Sequence, residues 1–284
     1  MTGFDASAFK KTTHAQWNAV ARRWNAWGPL LDDWLGPVSE TLLDMAKVAS
    51  GCRVLHVAGG SGQEALQSAR RVGPTGYVLS TDISEELTAL ASANFEAAGC
   101  KYAQARVMDG EQLALAAEPF DAVLSRVGLI YFPDQVRAVE QQVAALRPGG
   151  HVGAIVYATA EECRFFSDPV GVIRRHAALP PPAPGQPGPF SLGLPGRIEA
   201  LFESAGLEDV QVRKIHAPVI LPSAADCLRF EQESFGALHQ MLAKLDEAAK
   251  ARAWAEVGEK LSAFESNGRF EGPCVMIAAV GRRA

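Results

Sequence analysis

At 284 residues the chain is long enough for one large α/β domain with an appended lid, and for a substantial buried core. Its 48% hydrophobic content fits a globular protein, and its longest apolar runs, such as 152–160, are too short to cross a bilayer. A net charge of −5 without a basic stretch argues against a nucleic-acid partner. Five dispersed cysteines, with no CxxC pair, argue against a disulfide framework or metal site and for a reducing cytoplasm.

The first residues, MTGFDASAFKKTTHAQW, have no apolar run after their lysines, so no secretory signal is expected. Residues 7–50 read as helical and carry Trp17, Trp24, Trp27 and Trp34. Gly28-Pro29 and Gly36-Pro37 predict breaks into short helices, because proline starts a helix well but does not continue one. Residues 39–46 read as an amphipathic helix leading into a strand. From residue 52, short apolar runs at 53–58, 77–81, 103–107, 122–125 and 151–157 alternate with helical segments at 64–71, 85–98 and 135–146. That alternation predicts a parallel sheet with helices on both faces and right-handed crossovers. Further on, 179–190 is a proline- and glycine-dense loop, 195–205 a helix and 208–216 a strand. Residues 224–264 read as helical with a break near Gly236, and 274–280 as a last strand.

The turn after the first strand, Ala58-Gly59-Gly60-Ser61-Gly62, would let backbone approach a ligand and aim helix N-terminal amides at it. Taken alone it also satisfies the dinucleotide pattern GxGxxA over 60–65, with Asp82 about 20 residues on. Asp82 ends the second strand, where an acceptor-only carboxylate suits a ribose diol. Asp109 follows the third strand and can accept an adenine amine, with Ile83 and Met108 as apolar walls for the ring.

The glycine turn, TDIS at 81–84, VMDGEQL at 107–113, FDAVLSRVGLIYFPD at 120–134 and LRPGG at 146–150 come in a fixed order. In that order the chain resembles the class I S-adenosylmethionine (SAM)-dependent methyltransferases, particularly the ubiquinone/menaquinone-biosynthesis branch with its small-molecule enzymes. The likeness is close over 50–157 and looser over 197–282. It implies a Rossmann-like, seven-stranded, mostly parallel sheet with an antiparallel last strand, helices on both faces and a helical lid. Residues 51–220 and 273–284 would form the SAM-binding domain, 1–50 a helical lid segment, and 221–272 a helical insert contributing to the lid.

By motif position the resemblance assigns cofactor contacts to His56, Ala58, Gly60, Gly62, Asp82, Ile83, Met108, Asp109, Gly110 and Ser125. His56 stands where the family carries an acid, and Ala58 where it carries its first glycine. A protonated imidazole there would repel a cationic cofactor. That departure keeps two alternatives in view: a non-methylating enzyme on the same fold (a lyase, cyclase or dehalogenating group-transfer enzyme), and a non-catalytic nucleoside-binding relative. Arg126, Tyr157 and His176 are the candidate catalytic residues, Arg126 also as a group that orients an anionic acceptor. Trp24, Trp27, Phe165 and Phe230 are candidates, with Arg126, for an apolar or aromatic substrate pocket. The expected partner is a small molecule, without nucleic acid, membrane or metal; a homodimer is compatible with this reading.

Overall fold

The computed structural model describes residues 4–115, 118–182 and 186–284; Ala183, Pro184 and Gly185 of the proline loop lie outside the described residues. In chain order the elements are α1 (Ala6–Ala26), α2 (Gly28–Met45), β1 (Arg53–Val57), α3 (Gln63–Val72), β2 (Tyr77–Asp82), α4 (Glu85–Ala97), β3 (Ala103–Val107), β4 (Phe120–Arg126), α5 (Gln135–Ala145) and β5 (Leu146–Tyr157). There follow α6 (Arg164–His176), α7 (Arg197–Ser204), β6 (Leu207–His216), β7 (Val219–Leu221), α8 (Ala224–Ser234), α9 (Gly236–Leu242), α10 (Glu247–Ser262), β8 (Glu265–Ser266), β9 (Arg269–Gly272) and β10 (Val275–Arg283).

The main sheet has seven strands in the order β3-β2-β1-β4-β5-β10-β6. β1 runs parallel to both β2 and β4, while β10 is antiparallel to β5 and β6. The chain therefore reverses its direction of travel across the sheet between β1 and β4. The strands read as apolar runs because both faces are covered: Val54, Leu55, Val57, Val123, Leu124, Ile155 and Val156 are all fully buried. Side-chain caps start the flanking helices, with Ser84 Oγ accepting from Leu87 N at 3.1 Å and Asp134 from Arg137 N at 2.9 Å. Among the described residues no helix is long and apolar enough to cross a membrane.

Four expectations are corrected. α2 runs unbroken through Gly36-Pro37, because Leu31, Trp34, Leu35, Val38 and Leu42 bury one continuous face and outweigh the missing N–H of Pro37. β5 begins at Leu146, which pairs with Phe120 of β4 before a register irregularity and the next pair at His151, so the strand starts earlier than the expected 151. α6 was not anticipated, although Phe165, Phe166, Pro169, Val172 and Ile173 recur at helical spacing and are buried. The segments around α8–α10 also carry a small antiparallel sheet, β7-β9-β8, whose strands are too short to show a period.

Candidate functional site

Past the end of β1 the backbone turns through left-handed conformations at Ala58 (φ 56°), Gly60 (φ 58°) and Gly62 (φ 87°) before α3 begins. At Gly59 a Cβ would stand 2.2 Å from Ser80 Oγ, so the turn can lie this close to β2 only without a side chain. Asp82, buried at the end of β2, ties this turn down: it accepts from Gly60 N at 3.0 Å and from Ser84 N at 2.9 Å. Burial pushes its pKa up, against the pull of those backbone donors.

At the end of β3, Asp109 accepts from Glu111 N at 3.0 Å and from Lys10 Nζ at 2.7 Å. Lys10 comes from α1 and is also ion-paired with Glu111. Burial lowers the Lys10 pKa, but the two carboxylates outweigh it and the net shift is upward. At the end of β4, Arg126 turns inward and donates to Ser39 Oγ at 3.3 Å. Burial lowers its pKa, and the charges of Glu64 and Asp32 oppose that shift.

These strand ends and the covering helices enclose a cavity with an empty space of about 1110 Å³, part of it open to solvent. One part of its wall is Ala58, Gly60, Asp82, Ile83, Met108 and Asp109; another is Trp17, Trp24, Trp34, Tyr131, Tyr157 and Phe235. The aromatic part is a connected set. Trp17 meets Trp24 at 5.3 Å and Tyr131 at 5.6 Å between ring centroids, and Trp34 stacks with Tyr157 at 6.4 Å. Gly110, Glu64 and Arg126 complete the part of the lining that bears on chemistry.

Other sequence candidates stand elsewhere. Gly62 faces α4, where a Cβ would meet Phe95 at 2.7 Å. Ser125 is buried beside Gly128. Trp27 is turned outward, donating to Glu233 at 2.8 Å under the Arg229 guanidinium. Phe165 and Phe230 are fully buried behind Trp34, with centroids at 5.2 and 6.4 Å. His176 lies against Glu256 at 2.8 Å and ties α6 to α10, so it is removed from the cavity chemistry.

His56 is fully buried behind the wall, with Nδ1 3.2 Å from Glu64 Oε2 and Nε2 2.8 Å from Ser68 Oγ. The acid that lines the cavity in front of His56 is Glu64, which sequence reasoning passed over, together with Lys10, Trp17, Trp34, Tyr131 and Phe235. A histidine in a strand followed eight residues later by an acid in the first turn of a helix was the available signal for Glu64.

Residues 54–150 match a family described as a methyltransferase domain. An uncharacterised protein of Mycobacterium tuberculosis is 32% identical over 188 residues, covering 64% of this chain and 66% of that protein, just under two thirds of its length. Nocamycin O-methyltransferase of Saccharothrix syringae is 28% identical over 205 residues, covering 68% of this chain and 72% of that protein. Among solved structures, Haemonchus contortus phosphoethanolamine N-methyltransferase 2 overlays with a TM-score of 0.59 at 17% identity, covering 99% of this chain and 60% of the other.

Proposed function

We propose that the chain is a class I SAM-dependent methyltransferase, and that it methylates a small aromatic or lipophilic molecule held in the tryptophan-lined part of the cavity. The observation that carries this reading is the continuity of the space. Strand-end carboxylates and a glycine turn suited to a nucleoside share one cavity with a chamber of six aromatic rings.

The residues present fit the cofactor. The turn at 58–60 leaves no side chain between the backbone and the cavity beyond the methyl of Ala58. Asp82 would take the ribose hydroxyls and Asp109 the adenine amine, with Ile83 and Met108 against the ring faces. At Gly110 a Cβ would strike Phe132 at 2.6 Å, so this position stays bare for packing as well as for ligand approach. Bound SAM supplies an electrophilic methyl group, and the protein's part is to align an acceptor with it and exclude water. Burial raises the pKa of Tyr131, and more strongly that of Tyr157, so both phenols stay protonated and orient an acceptor by donating to it. Neither serves as a base, and the acceptor either arrives ionised or loses its proton to solvent.

The departure at His56 was the feature favouring a non-methylating or non-catalytic relative. Glu64, an acid that lines the cavity in front of His56, supports the methyltransferase reading over those alternatives. The mild negative charge and free, dispersed cysteines support a cytoplasmic enzyme without a nucleic-acid partner. The proposed chemistry needs no second copy of the chain.

The chamber supplies its own probe, because Trp17, Trp24 and Trp34 line it. Simple phenols and aromatic carboxylates, titrated into protein saturated with S-adenosylhomocysteine, should quench tryptophan emission, and Trp24→Ala should weaken their binding about tenfold, as expected for losing one well-packed aromatic contact. Turnover of small polar amines with no binding of any aromatic would sink the substrate class.

A further inference from the structure

Glu64 is 2% exposed, lines the cavity, and is held at one oxygen only: Oε2 faces His56, while Oε1 is buried without a hydrogen-bond partner among the described residues. A buried carboxylate oxygen in that condition is costly, and a donor from a ligand would relieve it. Its neighbour in charge is Arg126, which lines the same cavity. A buried carboxylate and a half-buried guanidinium, from two residues that line one space, are the complement of a zwitterionic amino acid.

We propose that Glu64 is the anchor for the α-ammonium group of the cofactor's methionine end, with Arg126 facing its carboxylate and His56 and Ser68 setting the angle of Glu64. This rests on the cofactor reading above. The sequence order supports it, since Glu64 lies in the first turn of α3, directly after the glycine turn. An ionised carboxylate only accepts, so His56 Nδ1–H is the donor in their contact, and the carboxyl plane is fixed from behind. The acid that the resemblance leads one to expect on β1 is thus delivered from α3, one layer away, and the histidine becomes its support. The buried pair also answers the repulsion problem. His56 does not face the cavity, and any positive charge on it lies behind a negative one.

The test compares S-adenosylhomocysteine with its deaminated analogue by isothermal titration, in the wild-type protein and in Glu64→Gln. The wild type should lose about 10- to 100-fold in affinity when the amine is removed, the worth of one hydrogen bond to a charged group. In Glu64→Gln that loss should shrink to about threefold or less, as the neutral-acceptor contact is worth correspondingly less. Absence of an amine penalty in the wild type overturns the anchor whatever the variant does, and so does an equal penalty in both proteins. His56→Asn should shrink the same penalty while leaving binding of 5′-methylthioadenosine, which has no amino-acid end, unchanged; an undiminished penalty removes His56 from the arrangement. If the wild type binds neither S-adenosylhomocysteine nor 5′-methylthioadenosine, the cofactor reading itself fails. Binding of both with equal affinity overturns only the anchor.

Discussion

Under the proposed function, Asp82 has two tasks for one carboxylate. Each oxygen already accepts a backbone N–H, from Gly60 and from Ser84, and each keeps a lone pair for a ligand. Removing it should therefore cost stability as well as binding. Asp82→Ala is expected to lower unfolding free energy by about 1–3 kcal/mol, the penalty of stranding buried donors. It should also weaken 5′-methylthioadenosine at least about 100-fold, since two charge-assisted hydrogen bonds are lost. Unchanged nucleoside affinity by titration calorimetry would take Asp82 out of the site. Glu231 makes a contrasting case. It is fully buried in α8, neither oxygen has a partner among the described residues, and burial raises its pKa well above the usual carboxylate range. The folded state thus binds a proton that the unfolded state releases above its ordinary pKa. Its stabilising share is fully present in acid and is lost as pH rises. Glu231→Gln, which cannot ionise, should melt higher than wild type by a margin that widens between pH 5 and pH 8. A margin that stays constant with pH would mean that Glu231 is ionised in the fold. Asp82 and Asp109 were legible because strand ends in this topology fall at one edge of the sheet. Lys10 was not, because its partner Asp109 lies 99 residues away and nothing local in the sequence marks the pairing.

At the scale of elements, α1 is the weakly rooted part of the enclosure. It buries Val20 and Ala21, whereas α2 buries Leu31, Trp34, Leu35, Val38, Leu42 and Leu43. Polar contacts do much of the docking: Lys10 to Asp109 at 2.7 Å, His14 and Asn18 to Glu85 at 2.8 and 3.0 Å, and Ser84 Oγ to Asn18. Little buried apolar area and partly exposed hydrogen bonds mark a segment that opens locally before the core does. Because Lys10, Thr13, Trp17 and Trp24 all line the cavity, we propose that ligands enter by opening of α1. Amide exchange across α1 should be faster than across α2 and should slow when S-adenosylhomocysteine is added. Lys10→Ala should speed release of that ligand in stopped flow while changing stability by less than about 1 kcal/mol, as befits a partly exposed ion pair. Equal exchange in α1 and α2 would make α1 a fixed wall. The break expected in α2 has a definite cause: Pro37 suggested it, yet it sits on the exposed side of a helix whose other face is thoroughly buried, and tertiary packing overrode the local preference. In α6, Pro169 is accommodated within the helix and lies on its buried face.

Taken whole, the molecule was legible where its elements are long and its faces simple. Parallel strands buried on both sides stand out as apolar runs, and the helices between them show a clean period. The two-residue β8 and three-residue β7 carry no period at all, and their pairing with β9 comes from the company they keep in space. The arrangement that matters for function arises only at this scale. The sheet order reverses between β1 and β4, and open α/β sheets bind ligands in the crevice that such a reversal leaves at the strand ends. Here that crevice gathers the turn after β1, Asp82 from β2, Asp109 beyond β3 and Arg126 from β4, with α1 over the top. A ligand bridging these parts stabilises the fold as a unit, because it binds the assembled crevice and not the unfolded chain. At a concentration 100 times its dissociation constant, S-adenosylhomocysteine should add about 2.7 kcal/mol. In a chain of this size that corresponds to a rise in Tm of roughly 5 °C. NAD, whose glycine pattern the turn also satisfies, should leave Tm unmoved at the same concentration. A shift with NAD and none with S-adenosylhomocysteine would show that the crevice had been assigned to the wrong nucleoside.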